Sequence, residues 1–223
     1  MEEYQLFMFD FDGLLVDTER GHYEAYRRMC RNRGIDLPWD FTKYCSFAHY
    51  SHDGLQHALY KEFPELLEQE PTWLVLYKEK TKAIIELYHE GAITLMPGVE
   101  KFLTLLADKD YKRCVVTHSA SELVQVLRKQ HPILNTIPYW ITREHYSKAK
   151  PDPECYITAQ RQLMDPDGKA VGFEDTVRGL RAVMGSGAQG VLVTSMEYPE
   201  IPHVVEQGAL HFASMDEVKA QCF

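Results

Sequence analysis

The 223-residue chain holds only five cysteines, Cys30, Cys45, Cys114, Cys155 and Cys222, widely spaced and without a CxxC pair. An odd number in that pattern supports neither a disulfide framework nor a zinc site, and it fits a reducing compartment. Long apolar runs are equally scarce. No segment reaches the roughly 18 apolar residues of a membrane span, and Glu2 and Glu3 are unlike the start of a cleavable secretory signal. Dense runs of Lys and Arg are missing too, and the formal net charge is −9, which argues against a nucleic-acid partner. Internal repeats, low-complexity tracts and flexible linkers are absent. What remains is an ordinary globular protein with no membrane partner, expected to be cytoplasmic and monomeric and long enough to bury a substantial core. Any anionic ligand must be held by local groups rather than by the global field.

Against that background one stretch stands out. Leu6-Phe7-Met8-Phe9 is a run of large apolar residues ending in Asp10-Phe11-Asp12-Gly13-Leu14-Leu15-Val16-Asp17-Thr18-Glu19. The run predicts a buried parallel strand, and the acids then lie at its carboxyl end, where open α/β sheets bind ligands. Alternation sends the Asp10 and Asp12 carboxylates to one side and Phe11 to the other, while Gly13 permits the sharp departure. Two such charges about 4 Å apart repel by about 4 kcal/mol at an effective dielectric near 20. A hard divalent ion such as Mg²⁺ would relieve that.

The pattern then turns helical, with Thr18 as a candidate cap and Gly34 as a stop. No strand is evident up to about Leu95. His52 to Phe63 is predicted as a helix, and a longer one follows Pro71 and Thr72 with an apolar stripe of Leu74, Tyr77, Thr81, Ile84, Ile85 and Tyr88. Thereafter strands and helices alternate. Strands are expected at Arg113–Thr117, Tyr139–Thr142, Ala170–Phe173, Gln189–Val193 and, at an edge, Leu210–Ala213. Helices are expected from Val99, from a Ser121 cap, over Pro153–Leu163 and over Thr176–Met184. Such alternation predicts a Rossmann-like parallel sheet covered on both faces. The core is therefore assigned to residues 1–17 and 93–223, with a helical insertion at 18–92.

Three later motifs fall at the ends of these elements. Thr117 closes a strand, where its hydroxyl and the following N–H groups, including that of His118, can donate to phosphate oxygens. Lys150 precedes Pro151-Asp152-Pro153, whose prolines stiffen the loop that presents its ammonium. Lys148 is the competing lysine. Gly172-Phe173-Glu174-Asp175-Thr176 ends another strand in two acids.

Together with the decapeptide at Asp10, these residues resemble the four motifs of the haloacid dehalogenase (HAD) superfamily, in the family's order, with the helical insertion where one subclass places its cap. The resemblance implies Mg²⁺-dependent phosphoryl transfer on a small phosphorylated metabolite. Asp10 would be the nucleophile and a metal ligand; Asp12 would be the acid and base and give its backbone carbonyl to the metal. Thr117, His118 and Lys150 would hold the phosphoryl group. Asp175 would ligate Mg²⁺, with Glu174 holding a coordinated water or ligating in its place. Asp12 favours a phosphatase or phosphomutase over a dehalogenase, and a phosphonate-cleaving imine mechanism is likewise disfavoured, with Lys43 as its nearest cap candidate. His22 resembles a cap histidine of β-phosphoglucomutases, but Phe47–Asp53 lacks that family's glycine and phosphate-gripping arginine, although His49, His52 or Lys43 could substitute. A phosphatase is the first reading, a sugar phosphomutase the second, and a non-catalytic binding module on the same fold the alternative from another class.

Overall fold

A computed structural model describes residues 4–48 and 54–218. Contacts divide the chain into two compact units, one of residues 1–17 and 94–223 and the other of residues 18–93.

The first unit is built on β1 (Leu6–Phe9), β2 (Arg113–Val116), β3 (Tyr139–Ile141), β4 (Ala170–Glu174), β5 (Gln189–Val193) and β6 (Leu210–Phe212). They form one parallel sheet in the order β3-β2-β1-β4-β5-β6. Parallel strands need crossovers that cover both faces, and the four residues of β1 are accordingly all buried. Register pairs Phe9 with Val115 on one side and Phe173 on the other. Phe9 and Phe173 stack at 4.8 Å between ring centres, and Phe102 meets both edge-on. The connecting helices Val99–Asp108, Ser121–Gln130, Glu154–Leu163 and Val177–Gly185 lie where the sequence expects them, and a further short helix, Ile201–Glu206, was not anticipated. Thr176 caps the helix after β4 by accepting from the Gly179 N–H at 3.2 Å. Ser121 does not cap its helix. It is the first helical residue, and its hydroxyl instead meets Thr142 and Glu144.

The second unit is helical: α1 (Thr18–Asn32), α2 (Phe41–Ala48), α3 (Gly54–Glu62), α4 (Pro64–Gln69) and α5 (Trp73–His89). Its core gathers Tyr23, Tyr26, Met29, Trp39, Tyr44, Leu59, Leu66 and Leu76. Thr18 lies within α1, and its buried hydroxyl has no hydrogen-bond partner among the described residues, so it is not a side-chain cap. The stripe expected on α5 is met in its second half at Ile84 and Tyr88, which are buried, and missed elsewhere. Leu76, Lys80, Ala83, Ile84, Leu87 and Tyr88 are buried, whereas Leu74, Tyr77 and Ile85 are exposed. The buried set recurs at the same three- and four-residue steps, so periodicity alone admits either phase and packing against α1 selects one.

Candidate active site

β1 stops at Phe9, and the Asp10 N–H extends its ladder by one bond to the Phe173 carbonyl at 2.9 Å. That bond holds Asp10 at the sheet's carboxyl edge, where the residue as a whole is only 7% exposed. Phe11 turns the other way and sets its ring edge-on to Trp140 at 5.4 Å, as alternation requires. Gly13 has φ +77°, and any Cβ there would collide with the Asp175 carboxylate. Glycine thus serves twice: it makes the turn and it admits Asp175.

Lys150 completes the centre. Its Nζ donates to Asp10 Oδ1 at 2.5 Å and to the Val116 carbonyl at 3.0 Å, and lies 2.7 Å from Glu174 Oε1. An ammonium has three donors, and here three acceptors meet them. Lys148 is exposed and sits 3.5 Å from Asp152. Burial alone would lower the Lys150 pKa, but Asp10 and Glu174 overcome it and hold the ammonium above its ordinary value. Asp10 goes the other way. Burial pushes its carboxyl up to about 8, opposed by Lys150 and reinforced by the charges of Glu174 and Asp12. The two directions are consistent because two carboxylates share one ammonium.

Asp12 faces a different set of groups. Its Oδ2 accepts from the Thr117 hydroxyl at 3.0 Å and from the Ser119 hydroxyl at 2.7 Å, and the Ser119 N–H donates back to Thr117 Oγ1 at 2.9 Å. The hydroxyl proton of Thr117 is therefore directed at Asp12. His118 is exposed, with Nδ1 at 3.1 Å from the Tyr146 hydroxyl, which itself donates to the Thr117 carbonyl at 3.0 Å. Because that phenol proton is used, His118 Nδ1 carries the hydrogen in this contact. Burial and then the charges of Arg143, Lys150 and Arg178 lower the His118 pKa.

Asp10, Glu174 and Asp175 each offer a carboxylate oxygen, all within 4.8 Å of one another. Hard oxygens carrying excess negative charge fit Mg²⁺ better than a softer ion. Glu174 is the most constrained of the three. It is 1% exposed, its Oε1 also accepts from the Tyr156 hydroxyl at 2.6 Å, and a Cβ at Gly179 would strike its carboxylate.

Of the residues named from sequence, Asp10, Asp12, Thr117, Lys150, Glu174 and Asp175 are brought together at this edge. His22 lies in the helical unit, where its Nδ1 is 2.8 Å from Lys80 Nζ. Lys80 is 6% exposed and lies 5.3 Å and 5.5 Å from the ring centres of Tyr26 and Tyr77. Burial pushes its pKa down to about 8, against the charge of Glu19. Lys43 pairs with Glu62 at 2.8 Å. His49 and His52 fall outside the described residues. Sequence reasoning passed over Ser119, Tyr146, Tyr156 and Lys80. A lysine at a buried helical step was the one readable signal, and it was lost with the phase of α5.

Residues 7–193 match the haloacid dehalogenase-like hydrolase family. The chain belongs to that family. Relatives include a protein of Thermotoga maritima named phosphorylated carbohydrates phosphatase, 27% identical over 218 residues that cover 95% of this chain and 94% of that one. Protein CbbY of Cereibacter sphaeroides is 27% identical over 191 residues, covering 83% and 82% of the two chains. Among solved structures, a putative β-phosphoglucomutase of Thermotoga maritima superposes with a TM-score of 0.75 at 23% identity, over 96% of this chain and 95% of that one. That likeness speaks for the fold. No helix among the described residues is long and apolar enough to cross a membrane.

Proposed function

We propose that this chain, a haloacid dehalogenase-like phosphoric monoester hydrolase, is a Mg²⁺-dependent phosphatase of a small phosphorylated metabolite, a sugar phosphate or similar compound. The observation that carries the reading is the buried Asp10 carboxylate, held by Lys150 at 2.5 Å beside two further carboxylates. The names of the Thermotoga maritima and Cereibacter sphaeroides relatives are compatible with it, and the first of them names phosphorylated carbohydrates.

In this reading Asp10 attacks phosphorus, the ester P–O bond breaks, and Asp12 delivers a proton to the leaving oxygen. A water then attacks the aspartyl-phosphate, Asp12 takes its proton, and inorganic phosphate leaves with Asp10 restored. The exchange splits one slow displacement into two. The Thr117 and Ser119 hydroxyls fix the Asp12 oxygen that accepts from them, which leaves its other oxygen for the proton. Lys150 holds Asp10 in one rotamer and offsets phosphoryl charge. The His118 N–H would donate to a phosphate oxygen, while the Thr117 hydroxyl, given to Asp12, would orient that carboxylate. Asp10, Asp175 and the Asp12 carbonyl would hold Mg²⁺, with Glu174 beside them. When bound, the ion supplies charge neutralisation on the phosphoryl oxygens. The helical unit, residues 18–93, serves as the cap that selects substrate, with His22 among its selecting residues.

The test is a panel of phosphorylated metabolites, with and without Mg²⁺, read by phosphorus NMR so that products are identified. Inorganic phosphate as the main product, lost on chelation, is the expected result. Clean conversion of a hexose 1-phosphate to its 6-phosphate, with little phosphate released, would replace the phosphatase by a mutase. A folded, Mg²⁺-supplied protein inert across the panel would leave a binding module.

A further inference from the structure

Tyr156 is fully buried in the helix Glu154–Leu163, in the cluster that also contains Leu6, Met8, Val116 and Ala182. A phenol there needs an acceptor, because an unsatisfied buried hydroxyl is costly. The acceptor it finds is no backbone carbonyl. It is Glu174 Oε1 at 2.6 Å, the same oxygen that lies 2.7 Å from Lys150 Nζ. The Tyr156 ring also lies beneath that ammonium, 5.0 Å from Nζ to its centre. On the far side Gly179 leaves no room for a Cβ beside the carboxylate. Glu174 is thus walled in by a glycine, clamped by a phenol and turned onto Lys150.

We infer that Tyr156 is a positioning residue: by holding Glu174 on Lys150 it fixes the ammonium against Asp10 and withholds Glu174 from the metal. The inference rests on the phosphatase reading for its kinetic consequence only. A charge-assisted hydrogen bond is stronger and shorter than a neutral one, and 2.6 Å from phenol to carboxylate lies in that range. Without it, Glu174 Oε1 keeps one donor instead of two, and the carboxylate is free to rotate toward Asp175. Lys150 then loses the fixed third acceptor of its tripod.

The experiment uses the full chain with Tyr156→Phe, Glu174→Gln and the double variant. Phenylalanine keeps the ring beneath the ammonium and removes only the hydroxyl. Tyr156→Phe is expected to lower kcat by about tenfold with KM within about twofold of wild type, as loss of one hydrogen bond that acts at the reacting centre predicts. Added to Glu174→Gln, it should lower kcat by less than about twofold more, because both changes interrupt one chain of contacts. A general packing defect would instead add its full effect in either background.

A second readout does not depend on turnover. The buried Lys150 ammonium should give a protected ¹H–¹⁵N signal in the metal-free protein, assigned by its loss in Lys150→Met. Tyr156→Phe and Glu174→Gln should each broaden or shift it. An unchanged signal in both variants overturns the inference, even if no ester proves to be a substrate. So does a Tyr156→Phe protein with wild-type kcat. Should Tyr156→Phe fail to fold, 3-fluorotyrosine in place of Tyr156 keeps the ring and changes only the donor strength of the phenol: a shifted Lys150 signal supports the inference and an unchanged one refutes it. A wild-type protein that shows the signal and its sensitivity to Tyr156 yet hydrolyses nothing would refute the phosphatase reading alone.

Discussion

Replacing Lys150 by methionine removes the one positive charge that Asp10 and Glu174 share while keeping most of the side chain's apolar length. The side chains of Lys150, Asp10 and Glu174 are 9%, 10% and 1% exposed, so solvent cannot take over the lost role. Breaking a buried pair by deleting one partner costs about 3–5 kcal/mol, since the remaining charge is left without compensation. Here two carboxylates are left, which places the expected loss in that range for the metal-free protein at pH 8. The pH dependence has a definite sign. Asp10 has a folded pKa raised from 3.8 to about 8, so the folded state favours its proton. Its contribution to stability is full below about pH 4 and declines as pH rises toward 8. Removing Lys150 removes the one influence opposing that rise, and the decline then extends above pH 8. The gap between wild type and variant should therefore widen from pH 6 to pH 9. Native-state hydrogen exchange of amides in β1 and β4 measures it locally, which avoids assuming that the two units unfold together. Mg²⁺ should narrow the gap by supplying positive charge to the same oxygens. A loss below about 1 kcal/mol at pH 8, or a gap that shrinks as pH rises, would refute the shared-ammonium account.

Two further outcomes are expected. Asp10→Asn should abolish turnover and leave the melting of the metal-free protein no lower than wild type, because the amide cannot act as the carboxylate nucleophile yet sheds a buried charge; substantial activity in a verified, undeamidated sample would remove Asp10 from that role. Asp175→Ala should raise the Mg²⁺ concentration for half-maximal activation at least about tenfold, with the metal-free melting temperature held or raised as repulsion is relieved; an unchanged activation constant would make Asp175 merely an acid near a helix start.

The parts of this protein that are legible in its sequence are those that local rules decide. β1 is an apolar run throughout, and β2 and β4 are apolar apart from Arg113 at the start of one and Glu174 at the end of the other, because strands buried on both faces have no polar side to show. Gly13 announces a turn, and the structure adds that a Cβ would strike Asp175. The place of β1 between β2 and β4 is another matter. Alternation of strands and helices predicts a parallel sheet but not which strands become neighbours, and it is that neighbourhood which brings Lys150, Glu174 and Asp10 together. The buried face of α5 was legible only at Ile84 and Tyr88, for a related reason. Two apolar stripes share that helix, and the choice between them lies in α1, whose His22 meets Lys80 at 2.8 Å.

Glu174 and Asp175 mark the boundary between what alternation can and cannot supply. As adjacent acids they read as a pair offered to one ion. Yet Glu174 is the last residue of β4 and Asp175 the first beyond it, so extended backbone turns them different ways. Glu174 goes inward to Tyr156 and Lys150, and Asp175 goes to the turn at Gly13. Period two could have separated them on the page. It could not have named Tyr156, because a tyrosine at a buried helical position is ordinary core until its hydroxyl is seen to have one acceptor. The acceptor it has is the carboxylate that would otherwise be the third candidate ligand. Lys150 and a divalent ion therefore compete for Glu174, and a phenol eighteen residues away in the chain weights that competition toward the lysine.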